Sequence, residues 1–211
     1  MGARLAGALL FLPVPAVLWL LTRQPFGTAA SLGLGVALML THRLYARPFA
    51  LARADSRCLW CGSAVGDGPR LSVAEPFGVT RWRACGADHA ARVAGLVTWA
   101  AAHAQFVRAG NLGTLVVFLL AAGPASAGRL GPVHAADTVA FFRLGIALTV
   151  LPLSLLGARP APAFETPRSP FPVHIQALIG TRAVLWLFRV IGAVWLYLGG
   201  AHLAGLLQRG S

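Results

Sequence analysis

The chain has 211 residues, 57% of them hydrophobic, and its mean hydropathy is +0.70. Because soluble domains are closer to half apolar, this composition excludes an ordinary soluble globular protein and indicates a membrane protein. All eighteen basic residues are arginine and the net charge is +12, which in so apolar a chain favours an anionic lipid surface over nucleic acid as the partner.

Five apolar runs are long enough to cross a bilayer, which requires about 20 residues. They cover residues 5–22, 24–41, 109–128, 138–158 and 183–207. The first run follows Arg4 as a signal peptide would, but it lacks a small-x-small cleavage site and another run follows directly, so we expect it to be retained. The sequence therefore predicts an all-α integral membrane fold with about five transmembrane helices.

A sixth apolar run, residues 93–107, is short for a span and contains His103 and Gln105. Its aliphatic residues recur near helical spacing, and Trp99 and Phe106 are aromatic residues of the kind that settle at the headgroup level. This pattern predicts an interfacial amphipathic helix over residues 93–108. A sixth span over the same residues stays open as the alternative.

The arginines predict the orientation, because short loops rich in arginine stay on the cytoplasmic side of a membrane. With five spans, Arg143 and Arg189 lie inside spans and Arg23, Arg129 and Arg209 lie on one side. The other thirteen arginines share the side that holds the N-terminus and the long polar loop. We therefore expect a multi-pass protein of a bacterial cytoplasmic (inner) membrane, with the N-terminus and this loop in the cytoplasm and the C-terminus outward.

The runs and loops divide the chain into four parts. Residues 1–45 are predicted to form a two-helix membrane hairpin, and residues 46–92 a cytoplasmic metal-binding module. The interfacial helix over 93–108 follows. Residues 109–211 are predicted to form a three-helix membrane region that contains a Pro-rich loop at 159–172.

The polar loop carries all three cysteines of the chain, in the pattern Cys58-Leu-Trp-Cys61-Gly62 and then Cys85-Gly-Ala-Asp-His89. Two cysteines separated by two residues can both bind one ion in a tight turn, which Gly62 permits. The spacing of Cys85 and His89 suits the first turn of a helix. Sulfur and imidazole in a closed set of four select zinc, so we predict a structural zinc site at Cys58, Cys61, Cys85 and His89.

Residues 57–92 resemble the small treble-clef zinc modules of the TRASH and YHS type. The resemblance implies that the first cysteine pair is followed by a short hairpin, and that the stretch Arg81-Trp82-Arg83-Ala84 leads into a second pair that opens a helix. His89 stands where that family usually has a cysteine. The surrounding spans resemble no family.

Two other groups of residues are candidates for function. Arg182 and Arg189 are seven residues apart on the last predicted helix and share a face, which favours contact with a lipid phosphate or with a partner's carboxylate. The remaining histidines are candidates for haem or pigment ligands. However, His42, His134 and His174 lie at or beyond the ends of spans, where an interfacial ring needs no ligand.

The sequence contains no Gly-x-Ser-x-Gly, His-Glu-x-x-His or Walker motif, so no enzyme class is supported. We therefore expect a non-enzymatic membrane protein with structural zinc, acting as a subunit, scaffold or assembly factor of a membrane complex through membrane lipids and protein partners. A haem-, quinone- or pigment-binding subunit of a redox complex is one alternative. Metal handling or transport, implied by the TRASH resemblance alone, is the other.

Overall fold

The computed structural model describes residues 2–23, 28–76, 78–131, 133–162 and 168–209. Over these residues the chain is mainly helical, with one two-stranded antiparallel sheet. Two π-helical turns, His42–Ala46 and Ala109–Gly113, join helices α3 to α4 and α6 to α7. The helices are α1 (Gly2–Phe11), α2 (Pro13–Arg23), α3 (Thr28–Thr41), α4 (Arg47–Leu51), α5 (Ala87–Ala102), α6 (Ala104–Arg108), α7 (Thr114–Ser126), α8 (Ala135–Leu156), α9 (His174–Ala177) and α10 (Thr181–Arg209), and the strands are β1 (Arg70–Glu75) and β2 (Gly78–Arg83).

Three helical segments are long and apolar enough to cross a membrane: Ala104–Ser126, Ala135–Leu156 and Thr181–Gln208. They correspond to the last three predicted spans. In the region of the first predicted span, the apolar helix Arg4–Val17 is shorter than these three segments. The second predicted span overlaps α3, and its residues 24–27 lie outside the described part. Membrane-type helices are thereby confirmed, and the count of five spans stays a prediction.

Small residues allow the long helices to approach one another closely. A side chain added at Gly110 would collide with Thr149 of α8, and one added at Gly145 would collide with Thr114 of α7. Gly199 brings α10 to within 3.3 Å of the Ala140 carbonyl oxygen, measured from the position that a Cβ would occupy. Such contacts are typical of helix packing in membranes, where dispersion and close fit replace the hydrophobic effect.

The β-hairpin lies at one end of the helices. Burial alternates along its first strand, β1: Leu71 and Val73 are buried and Arg70 and Ser72 are exposed, as expected for a half-buried strand. Leu71 pairs with Trp82 across the hairpin. These side chains belong to the largest buried cluster of the described residues, together with apolar residues of α4, α5 and α10. The polar loop is therefore part of the same packed core as the helices.

The structure divides the ambiguous run over residues 93–107 between two helices. Its first part lies in α5, where Val93, Leu96 and Val97 are buried, and its second part begins the candidate span Ala104–Ser126. The break occurs at His103, which leaves the helical conformation and stacks on Trp99 at 4.3 Å between ring centroids. The interfacial position of residues 93–108 is not tested by this arrangement and stays a prediction.

Candidate metal centre

The first two cysteines lie in a tight turn that follows the predicted form. The Gly62 amide donates to the Cys58 carbonyl at 2.8 Å, and the Cys58 amide donates to the Ser63 carbonyl at 2.9 Å. Gly62 has φ of +70°, a left-handed conformation that glycine adopts without steric cost. We call residues 58–62 the knuckle.

The third and fourth candidate ligands approach the knuckle from the end of the hairpin. The Leu59 amide donates to the Arg83 carbonyl at 2.8 Å, which places the start of the knuckle beside the end of β2. Helix α5 begins at Ala87, so His89 lies in its first turn, whereas Cys85 precedes the helix. The expectation that both residues lie within one helical turn is therefore correct only for His89.

The four side chains converge on one point. The Cys58 Sγ lies 3.5 Å from the His89 Nδ1, the Cys61 Sγ lies 3.5 Å from the Cys85 Sγ, and all four ligand atoms lie within 4.8 Å of one another. Zinc–sulfur bonds of about 2.3 Å in a tetrahedron separate two sulfurs by roughly 3.8 Å. The cluster can therefore hold a metal ion, and its donor set and spacing are consistent with zinc.

The cysteines of the cluster shift the pKa values of one another's thiols. Burial alone would raise the pKa of Cys61, but hydrogen bonds with Ser63 and with the neighbouring thiols outweigh it and lower this pKa to about 7. Desolvation of its sulfur, the thiol contacts and the charge of the other cysteines raise the pKa of Cys85 to about 12. The positive charge of a bound divalent cation would offset this repulsion, so all coordinating thiols could be deprotonated together.

The knuckle is held from the opposite side by the start of α10. The Thr181 amide donates to the Leu59 carbonyl at 2.9 Å, and the Arg182 amide donates to the Trp60 carbonyl at 2.8 Å. The buried Thr181 hydroxyl lies 2.9 Å from the same Leu59 carbonyl oxygen. The first amides of a helix have no intrahelical partner, so the carbonyls of the knuckle satisfy the N-terminus of α10.

A buried carboxylate joins the hairpin to the segment before α9. Glu75 is 3% exposed, accepts the Val173 amide at 3.0 Å and the Thr80 hydroxyl, and lies 3.9 Å from the His174 ring. Burial raises its pKa, but the interactions with His174, Thr80 and the Val173 amide outweigh burial, and the net result is a lowered pKa. Glu75 is therefore ionised at neutral pH and fixes the hairpin to residues 169–174.

The predicted arginine pair lies beside the metal cluster. Arg182 and Arg189 line a cavity of about 380 Å³ together with a third arginine, Arg92 of α5, which the sequence did not single out. Arg189 donates to the Ser154 carbonyl at 2.7 Å, and Arg92 pairs with Asp88 at 3.0 Å. The signal for Arg92 is its spacing, since it stands one helical turn after His89. Contact of Arg182 and Arg189 with a lipid or a partner stays a prediction.

Two of the histidines at the ends of predicted spans are buried inside the protein, and their position relative to the membrane stays a prediction. His42 and His174 are buried, with 8% and 4% exposure, because α9 packs against α4 and against the π-helical turn His42–Ala46. The His202 Nε2 lies 2.7 Å from the Asp137 carboxylate, so this ring has a partner on α8. Asp137 lies in the first turn of α8, inside the candidate span Ala135–Leu156, although the predicted span began at residue 138.

No protein-family model matches the chain, and no curated protein and no solved structure is significantly similar to it. The resemblance of residues 57–92 to treble-clef modules of the TRASH and YHS type accordingly stays a prediction. The order of elements in this stretch is a knuckle, a hairpin and the first turn of a helix.

Proposed function

We propose that this protein is a non-enzymatic, zinc-binding integral membrane protein that serves as a subunit, scaffold or assembly factor of a membrane complex. The observation that carries the proposal is the convergence of Cys58, Cys61, Cys85 and His89 at the start of α10. Four protein ligands around zinc leave no position for a reacting water, which favours a structural role for the metal.

In this proposal, the zinc module sets the position of α10. The knuckle accepts two amides of α10, so any movement of residues 58–62 also moves the start of this helix. Of the most apolar stretch of α10, only 11% is buried inside the chain. A helix with so much free apolar surface faces lipid or the helices of partner proteins.

The cavity beside the zinc module supplies the polar part of the proposed contact with a partner protein or a lipid. Arg92, Arg182 and Arg189 bring three guanidinium groups to one cavity, with Asp88 as the carboxylate among the described lining residues. Guanidinium groups bind carboxylates and phosphates through paired hydrogen bonds. We propose that this cavity receives an acidic side chain of a partner or a lipid phosphate at the cytoplasmic face of the inner membrane.

Affinity isolation from mild detergent tests the proposal. We expect partner proteins to co-purify with the wild-type chain and to be lost when Arg92 and Arg182 are both replaced by glutamine. The matched control is Arg129→Gln, an exposed arginine that does not line the cavity, which should retain the partners. A wild-type preparation that contains this chain alone, as a monodisperse species, would refute the proposal.

Two alternatives predict different results. A haem- or pigment-binding redox subunit requires a visible absorption band in the purified protein, whereas we expect a colourless preparation. Metal handling or transport requires rapid exchange of the bound ion. A closed set of four ligands is instead expected to release zinc slowly to a chelator.

A further inference from the structure

A second cavity lies beside the residues that lead into α9. Its volume is about 570 Å³, within the range of small-molecule sites. It lies between the helices of the N-terminal region and the residues that lead into α9. Its lining residues are Val14, Gly35, Leu38, Met39, His42, Arg43, Arg47, Pro172, His174 and Ile175.

His42 is an unexplained buried polar group in the wall of this cavity. It is 8% exposed, and neither ring nitrogen hydrogen-bonds to any residue that the structure describes. Burial and the neighbouring His174 lower the pKa of His42, so its ring is neutral at pH 7 and offers one N–H donor. A buried polar group without a partner destabilises the protein, and a ligand that accepts this hydrogen bond would offset that cost.

The charges of the cavity identify the kind of ligand. Arg43 is exposed, Arg47 is half-buried, and the two stand four residues apart in the lining. No carboxylate lines the cavity among the described residues. The remaining walls are mostly apolar, with Leu38, Met39 and Ile175 among them. A mostly apolar cavity with two arginines and a histidine donor fits a molecule that has an apolar chain and an anionic head group.

We propose that this cavity binds one acidic phospholipid, with its phosphate held by Arg43 and Arg47 and an acyl chain against the apolar wall. His42 donates a hydrogen bond to the head. The site is separate from the zinc cluster and from the cavity of Arg92 and Arg182, so it stands or fails independently of the function proposed above.

Native mass spectrometry of the delipidated full-length chain in detergent tests this site. The probes are dioctanoyl phosphatidylglycerol and the zwitterionic dioctanoyl phosphatidylcholine. We expect the acidic lipid to bind at least about tenfold more tightly, because both arginines attract its net negative charge and the zwitterionic lipid has no net charge. Replacing Arg43 and Arg47 by glutamine should abolish this preference, whereas replacing both by lysine should retain most of it. The exposed control Arg108→Gln should leave it unchanged.

His42→Leu separates a binding role from a structural one. We expect it to weaken binding of the acidic lipid while leaving the unfolding midpoint of the lipid-free protein unchanged or higher, because an unpartnered buried ring is removed. Equal binding of the two lipids, or a preference that survives the double glutamine variant, would overturn the proposal. So would a lower unfolding midpoint for lipid-free His42→Leu, a haem absorption band that this variant loses, or neutral decylubiquinone binding more tightly than the acidic lipid.

Discussion

Gly180 is the residue whose substitution tests most sharply whether the knuckle is docked on α10. Gly180 has φ of +92°, and a Cβ added there would lie 2.8 Å from both the Cys61 carbonyl carbon and the Gly62 amide nitrogen. These are backbone atoms of the knuckle and cannot rotate away. Gly180→Ala therefore has to displace the knuckle from the start of α10.

The expected cost follows from two contributions. An alanine in the left-handed region costs about 1 to 2 kcal/mol. Displacing the knuckle also weakens the hydrogen bonds that the Thr181 and Arg182 amides donate to it, each worth about 1 kcal/mol. Together these give about 3 to 4 kcal/mol, which for a chain of this size lowers the unfolding midpoint by on the order of 10 °C.

The assay is thermal unfolding of the zinc-loaded protein in detergent, with chelator-induced zinc release as a second readout. The matched control is Gly200→Ala in the middle of α10, where an added Cβ meets no atom within 4 Å and alanine favours the helix. We expect Gly180→Ala to unfold earlier and to release zinc faster than this control. Equal midpoints and equal release rates for the two variants would refute the docking.

Three further predictions concern the hairpin, the helix packing and the orientation. Glu75→Gln should lower the free energy of thermal unfolding by about 1.5 to 3 kcal/mol. Because the folded-state pKa of Glu75 is lowered, its stabilising contribution is present above the unfolded pKa of about 4.3 and is lost as the pH falls through the lower folded value. The variant should not show this loss. Gly110→Ala should destabilise the protein by about 1 to 3 kcal/mol through collision with α8, whereas Gly113→Ala, where nothing lies within 4 Å, should not; equal midpoints would contradict the close packing. A reporter fused after Ser211 should be active only outside the cytoplasm, and cytoplasmic activity would instead support the six-span alternative.

The metal cluster could be predicted because its determinants are local in the sequence. Cys58 and Cys61 are two residues apart, and Gly62 supplies the left-handed turn that their spacing requires. Cys85 and His89 are similarly close to each other. The apolar runs that gave α7, α8 and α10 are also local signals, since hydropathy over about 20 residues measures membrane burial directly.

The docking of the knuckle could not be predicted from the same signals. Thr181 and Leu59 are 122 positions apart, and nothing near either residue indicates that they are in contact. Threonine is common at helix starts, but Thr181 does not indicate which carbonyls the first amides of the helix will meet. Long-range packing decides this, as it also decides the burial of His42 and His174 inside the protein.

The break between α5 and α6 shows a related limit. The run over residues 93–107 contains no proline, and its one glycine, Gly95, lies well before the break. A Cβ added at Gly95 would collide with the Arg159 carbonyl oxygen, so the segment after α8 closely approaches α5. The run is divided into α5 and α6 at His103, which stacks on Trp99. Hydropathy indicates neither this division nor the two contacts.

Elemental analysis of the freshly purified full-length protein tests the central claim most directly. We predict one zinc per chain in the wild type and in His89→Cys, because both provide a tetrahedral set of four ligands, and no stoichiometric zinc in Cys61→Ser or Cys85→Ser. Loss of the metal should also expose residues 52–86 to protease, since structural zinc supplies on the order of 10 kcal/mol in such modules. A wild-type protein without stoichiometric zinc, with free thiols and a protease-resistant loop, would contradict the proposed role of this site.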